Sequence, residues 1–264
     1  MGILNVTPDS FSDGGLYLSP DDALRQAEKL IEEGADILDI GGESTRPGGR
    51  SAVDSKEEIT RVIPVIELVR KRFEVPISVD TTKSEVAEAA IDAGAEIIND
   101  ISGLRFDERI ASVTAKYRTG LLLMHSRGKF EALHSLQPVP DIMADIRTDF
   151  RRAIDKAQSS GVQSDAIALD IGIGFGKSFE QNLTLIKHVG QLINEFPNYP
   201  FAIGVSRKSF IGKVFEDASA NERLEGSLAA AAIAAYNGVS IVRAHDIKET
   251  SAVLKMVDAI CGES

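Results

Sequence analysis

The chain is poor in residues that staple, bridge or anchor. Among 264 residues there is one cysteine, Cys261, no tryptophan and four histidines. One thiol cannot close an internal disulfide, so the fold must stand on its own core, and this usage suits a reducing, cytoplasmic compartment. No apolar run approaches the roughly 18 residues of a membrane span. The opening Met1-Gly2-Ile3-Leu4-Asn5 has neither the basic nor the apolar region of a secretion signal. Cations are outnumbered, 29 Lys plus Arg against 40 Asp plus Glu, for a formal charge of −11. A general nucleic-acid binder would show a basic footprint instead. An anionic small substrate stays open, provided the few cations converge on one place. His and Cys form no metal-binding cluster, so any metal must be a hard ion held by oxygens and substrate, as magnesium is in phosphate sites.

Short apolar runs alternate with amphipathic stretches. The runs are Ile3–Val6, Ile37–Ile40, Ile77–Val79, Ile97–Ile98, Leu121–Met124, Ile167–Leu169, Phe201–Val205 and Ile241–Val242. They are too short and unbroken for helices and read as buried parallel strands. Ser19-Pro20-Asp21-Asp22 supplies an N-cap, a first-turn proline and acids at the positive helix end. Ser55–Glu58, Thr82–Glu85 and Ser178–Gln181 fit the capping-box spacing. Ile59, Val62, Ile63, Ile66 and Val69 recur at helical spacing, and Gly34, Gly94 and Gly161 read as helix ends before strands. Eight strands alternating with eight helices in this length predict a single-domain (β/α)8 barrel, a TIM barrel spanning residues 1–264. An open doubly wound sheet is the alternative, but it would show fewer strands and a nucleotide fingerprint.

Each predicted strand is followed by a polar or ionisable group. These are Asn5, the Gly41–Gly48 segment, Asp80, Asn99 with Asp100, His125, Asp170, Ser206-Arg207-Lys208, and Arg243 with His245. In a barrel these ends converge on one mouth. Acids and amides follow the third, fourth and sixth strands, and cations follow the last two, which predicts a pocket with one end for hydrogen-bond donors and one for an anion. Two connections, Thr7–Leu18 and Gly41–Asp54, exceed the usual 2–6 residues or so and carry glycines beside polar residues, as closing lids do.

Gly172-Ile173-Gly174-Phe175-Gly176-Lys177-Ser178 looks like a phosphate loop, yet both known patterns fail. A Walker A motif needs glycine where Ile171 stands, and a dinucleotide fingerprint needs glycine where Lys177 stands. The glycines are expected to let backbone approach a flat ligand or a neighbouring loop, and Lys177 to sit exposed at a helix start. His134 and His188 read as surface residues, and Cys261 as a helix-packing or tail residue.

Taken together, Met1–Gly15, Asp39–Gly48, Ser78–Thr81, Asn99–Gly103, Gly172–Lys177, Ser206–Ser209 and Arg243–Asp246 resemble, in order, seven signatures of the bacterial dihydropteroate synthase family. The resemblance runs along essentially the whole chain. It implies a (β/α)8 barrel that joins 7,8-dihydropterin-6-ylmethyl diphosphate to 4-aminobenzoate with release of diphosphate, and it implies a homodimer. By resemblance, Asp80, Asn99 and Asp170 match residues that hold the pterin. Lys208 matches a lysine over the pterin that also borders the aminobenzoate site. Asn5 matches a magnesium (Mg2+) ligand. Thr45, Arg243 and His245 match contacts to the diphosphate, with Lys208, Arg243 and His245 as the catalytic group. Arg46, Pro47, Phe175 and Ser209 match the aminobenzoate pocket. A carboxylate such as Asp170 suits the planar N–H and NH2 edge of a pterin on chemical grounds alone.

There are departures from the family pattern. Ile171 stands where a proline is usual, and His125-Ser126-Arg127-Gly128 differs from the commoner Met-Gln version. The first strand begins almost at the start, which reads as trimmed, with nothing ahead of it to close the barrel bottom. A pterin-binding methyltransferase domain shares the barrel and the pterin end, but has no need of a diphosphate site. A catalytically silent pterin-binding paralogue is the other alternative. The Ala-rich Leu228–Ala235 stretch suits tight helix packing within the barrel or across subunits. With no insertion in Gly41–Gly49, sulfonamides are expected to compete with aminobenzoate.

Overall fold

The computed structural model describes residues 1–7, 19–44, 53–128, 130 and 137–262. Within them the apolar runs form eight strands: β1 (Gly2–Asn5), β2 (Leu38–Gly41), β3 (Ile77–Asp80), β4 (Ile97–Asp100), β5 (Gly120–Met124), β6 (Ile167–Asp170), β7 (Phe201–Gly204) and β8 (Ile241–Arg243). All neighbours pair in parallel, in chain order. The ring closes through a parallel bridge between Gly2 and Ala244, where Ile3 N–H donates to the Ala244 carbonyl at 3.0 Å. The predicted (β/α)8 barrel is therefore the observed one.

Nine helices surround it among the described residues, not eight: α1 (Pro20–Glu32), α2 (Ser55–Arg72), α3 (Ser84–Asp92), α4 (Arg109–Tyr117), α5 (Ile142–Ser159), α6 (Phe179–Glu195), α7 (Ser209–Val214), α8 (Leu224–Tyr236) and α9 (Ile247–Cys261). The extra helix arises because the connection between β7 and β8 holds both the short α7 and the Ala-rich α8. Strand residues alternate in direction. Leu4, Leu38, Ile40, Ile77, Val79 and Ile98 are completely or almost completely buried in the layer between strands and helices. Each such side chain contributes about 1.5–3 kcal/mol by leaving water. Truncating Ile40 to alanine would cost about 2–5 kcal/mol, since a rigid wall cannot collapse into the gap.

The caps follow local chemistry. Ser19 accepts from Asp22 N–H, and Ser178 with Gln181 forms a reciprocal capping box. At α2 the cap is Asp54 rather than Ser55, because its carboxylate, one residue earlier, accepts the Glu57 N–H at 2.8 Å. At α3 the N-cap position is Lys83, which gives no side-chain cap, and the carboxylate of Asp107 takes the Ser84 N–H at 2.9 Å instead. Gly34, Gly94 and Gly161 all take positive φ at helix ends. No helix among the described residues is long and apolar enough to cross a membrane. Cys261 is exposed at the end of α9.

Candidate active site

The strand register builds the mouth. Asn5 pairs with Gly41, Gly41 with Asp80, and Asp80 with Asn99, so the ends of four strands form one inward-facing layer. Gly41 makes room within it: a Cβ there would stand 3.4 Å from the Asp80 Cβ and 3.7 Å from Asn5 Oδ1. Two residues back along β2, on the same face, lies Asp39, completely buried. Arg243 reaches in from β8 and joins both carboxylates. Its Nε donates to Asp39 Oδ2 at 2.5 Å and its Nη2 to Asp80 Oδ2 at 2.9 Å. Asn99 Nδ2 donates to the same Asp39 oxygen at 3.2 Å.

This cluster sets its own charge state. Burial raises Asp80 above the usual carboxylate range; Arg243 opposes that rise and Asp39 adds to it. Burial works against the Arg243 charge, but Asp39 and Asp80 outweigh it and carry Arg243 above its ordinary value. One guanidinium thus serves two buried carboxylates and stays charged.

Across the mouth, Asp170 ends β6. It is buried, burial raises it, and the Gly172 N–H donates to its Oδ1 at 2.7 Å. Lys208, just before α7, lies with its Nζ 4.2 Å from the centre of the Phe175 ring, a cation–π contact. Burial and the nearby Arg243 lower Lys208 to about 8, while Asp170 and Asp80 pull the other way. Phe175 packs with Ile101 and Met124, flanked by Phe106 and Phe130, giving an apolar wall beside the cation. Ser209 opens α7 and is exposed. His245 is fixed by Ser206, whose Oγ lies 3.0 Å from His245 Nδ1 and accepts the His245 N–H at 3.2 Å. Arg207, at φ +58°, donates to both oxygens of Asp246 and so ties the ends of β7 and β8 together.

The structure thus brings together Asn5, Asp80, Asn99, Asp170, Phe175, Lys208, Ser209, Arg243 and His245. Thr45, Arg46 and Pro47 lie outside the described residues, as do most of the two long connections and His134. One expectation is corrected. Lys177 is not exposed: its ammonium turns inward and donates to the carbonyls of Gly172 at 2.7 Å, Phe175 at 3.0 Å and His125 at 3.3 Å. The reason is the glycine turn ahead of it, which aims the Gly172 and Phe175 carbonyls at the His125 carbonyl. The glycines do serve close approach to neighbours: a Cβ on Gly172 would fall 1.9 Å from the His125 carbonyl oxygen, and one on Gly174 3.3 Å from Lys208 Cδ.

Several residues carry no role in the sequence reading. Asp39 was visible as an acid between Leu38 and Ile40, inside an otherwise apolar strand. Lys83 pairs with Glu43 at 2.9 Å and with the buried Glu58 at 2.5 Å, and Glu43 Oε1 accepts the Val53 N–H, drawing the two sides of the Gly41–Asp54 connection together. His125 is buried, with Nε2 3.2 Å from Asp145 Oδ2, and burial lowers it to about 4. The Ser126-Arg127 departure has structural work. Ser126 Oγ accepts from Arg105, and Arg127 donates to the Gly176 carbonyl at 3.0 Å. Ile171 is fully buried.

A protein-family profile described as "Pterin binding enzyme" matches residues 1–245. A Bacillus subtilis protein named dihydropteroate synthase is 45% identical over 260 residues, covering 98% of this chain and 87% of its own length. The chain belongs to the dihydropteroate synthase family of pterin-binding enzymes. Among solved structures, the Clostridium difficile dihydropteroate synthase determined with pteroic acid superposes with a TM-score of 0.91 at 45% identity, covering 98% of this chain and 95% of that one. The Yersinia pestis dihydropteroate synthase with a sulfonamide drug gives a TM-score of 0.93 at 40% identity, covering 99% and 94%. Within this family the mouth supplies a coherent chemistry: buried carboxylates and an amide for a polar heterocycle, an aromatic wall, and cations for an anion. Among the described residues no group of three or more His, Cys, Asp or Glu side chains could hold a metal. Asn5 offers a single amide oxygen at the mouth, which fits a hard ion carried mainly by substrate oxygens and water.

Proposed function

We propose that this barrel condenses 7,8-dihydropterin-6-ylmethyl diphosphate with 4-aminobenzoate to 7,8-dihydropteroate and diphosphate, with magnesium-assisted departure of the diphosphate. The observation that carries this reading is the juxtaposition of Asp170, Lys208 and Arg243 at one mouth. Asp170, with Asn99 and Asp80, binds the pterin edge, a carboxylate accepting from paired N–H donors at about 1.5–3 kcal/mol for each such bond. Arg243 keeps Nη1 free of hydrogen bonds to the described residues, and His245 follows two residues later, so the guanidinium and the imidazole meet the negative charge that builds on the leaving group. Asn5 would hold magnesium together with the diphosphate, and the ion would supply charge neutralisation on the phosphate oxygens. Phe175 and Lys208 shape the aminobenzoate pocket with Arg46, Pro47 and Ser209, and Thr45 joins Arg243 and His245 at the diphosphate. The aniline nitrogen attacks the pterin methylene, the C–O bond to diphosphate breaks, and the aniline proton passes to solvent or to the departing diphosphate. Lys208, its ammonium over the aromatic wall, orients both rings.

The molecule works as a homodimer in this reading. Ile233 and Tyr236 on α8, and Met256 and Ile260 on the adjacent α9, are large apolar side chains half or more exposed. Sedimentation should give twice the chain mass. The decisive assay follows diphosphate release and pteroate formation with and without 4-aminobenzoate. Both should require aminobenzoate. Methyl transfer in place of condensation, or pterin binding without turnover, would overturn the assignment in favour of a methyltransferase or a silent binder.

A further inference from the structure

Beyond these groups lies a buried cation with no part in that chemistry. The Gly172–Gly176 turn has no ladder bonds to shape it, unlike Asp170, whose carbonyl accepts the His125 N–H at 2.8 Å in continuation of the β5–β6 pairing. Gly172, Gly174 and Gly176 take φ of +64°, +85° and +63°. That alternation turns the Gly172 and Phe175 carbonyls toward a third, that of His125. The turn lies so close to His125 that no side chain fits on Gly172. Carbonyl oxygens gathered in this way repel one another unless a cation or several donors sit between them. Lys177 Nζ sits there, bonded to all three. Only the protonated amine has three N–H donors for three acceptors. Burial pulls Lys177 down to about 7, while Asp170 opposes that pull and Lys208 reinforces it. Further bonds hold the turn: Phe175 N–H donates to the Gly172 carbonyl at 3.1 Å, Asn182 Oδ1 accepts from Gly174 N–H at 2.7 Å, and Arg127 donates to Gly176.

We infer that Lys177 is a positioning residue: a tethered ammonium that fills a backbone-carbonyl cage, fixes the Gly172–Gly176 turn, and thereby holds the Phe175 ring under Lys208. Phe175 rides on this turn, whereas Asp80 and Asn99 are held by their own strands, and Asp170, which takes one bond from the Gly172 N–H, is also held by β6. Loss of the cation should therefore strike the aminobenzoate side of the site much harder than the pterin side. This inference rests on the synthase reading above for the identity of the two substrates.

Lys177→Met keeps the unbranched side chain as far as Cε and removes the ammonium. Lys177→Ala vacates the space beyond Cβ, which n-propylammonium matches atom for atom and n-propanol matches without the charge. For Lys177→Met the KM for 4-aminobenzoate should rise roughly tenfold or more, since small misplacements of a positioning wall are costly. The dissociation constant for the pterin diphosphate, by calorimetry, should stay within about threefold, a shift of well under 1 kcal/mol. Added propylammonium should lower the KM of Lys177→Ala, and propanol should not. Wild-type KM in the Met variant would overturn the inference, as would equal rescue by propanol or a matching loss of pterin affinity. A wild-type enzyme that fails to condense the two substrates would instead overturn the synthase reading.

Discussion

Arg243→Met tests the charge balance of the mouth. The guanidinium is the hydrogen-bonded counterion of Asp39, fully buried, and of Asp80, only 17% exposed. Methionine fills much of the space but leaves two neighbouring carboxylates without their cation. Removing one partner of a buried pair costs about 3–5 kcal/mol, chiefly because the remaining charge is stranded. Arg243 itself is 21% exposed, so water relieves part of this, and about 3 kcal/mol is expected near pH 7.5. The loss must depend on pH in one direction. Asp80 already titrates above its unfolded value, and without Arg243 it rises further. The native variant then holds a proton that the unfolded chain lacks, so its stability falls as pH rises, by up to about 1.4 kcal/mol per pH unit and proton. The gap between wild type and variant should therefore narrow from pH 7.5 to pH 5.5. Urea titrations at the two pH values measure it, and adding Asp39→Asn to Arg243→Met should recover part of the loss at pH 7.5. A gap below about 1 kcal/mol, the range of an exposed pair, or one that widens on acidification, would refute the stranded-charge account.

Asp170→Asn should weaken pterin binding by about 1.5–3 kcal/mol while leaving the fold intact, because the amide keeps the shape and loses the ionised acceptor. Calorimetry with a pterin checks it. Asn5→Ala should lower turnover more than pterin affinity, since its contribution grows as charge builds on the leaving group; steady-state kinetics across a magnesium titration would show equal losses if Asn5 only docks substrate. 4-Aminobenzoate and a sulfonamide should bind poorly to the empty protein and well once diphosphate and magnesium are present. Tight binding to the empty protein by fluorescence or calorimetry would contradict this order, and full activity under saturating sulfonamide would contradict competition. His125 is lowered to about 4 by burial, so the native state refuses a proton that the unfolded chain takes up below about 6.5. Its contribution is complete above that value and is lost as pH falls toward 4, by about 2 kcal/mol at pH 5. His125→Asn should show a correspondingly shallower fall in urea stability between pH 7.5 and pH 5.

The barrel was legible because its strands are buried on both faces and read as uninterrupted apolar runs, with a polar residue at the end of each. Position along a strand was enough to locate Asp80, Asn99, Asp170 and Arg243. Pairing among them was not. Asp39 and Arg243 are 204 residues apart, and nothing local in either segment says that they touch. Lys177 was misjudged for a related reason. A lysine before a helix is commonly solvated, and its burial here comes from backbone carbonyls aimed by three left-handed glycines, a geometry that composition does not express. The cap of α3 likewise moved to Asp107, a partner 23 residues along the chain from Ser84. The extra helix between β7 and β8, α7, leaves no periodic signal because its six residues offer too few turns.

Closure of the ring has a kinetic side. The seam between β8 and β1 is a single bridge, joining residues at opposite ends of the chain. Such distant contacts bear the largest loop-closure cost and tend to slow folding. Arg243 lies on the strand that makes this seam. A nascent or partly folded barrel lacking β8 would hold Asp39 and Asp80 without their cation, and the cost of stranding or protonating those buried groups would discourage compact but unfinished states. β8 thus brings the charge that the mouth lacks, so competence to bind substrate should arise in the same step as ring closure and not before it.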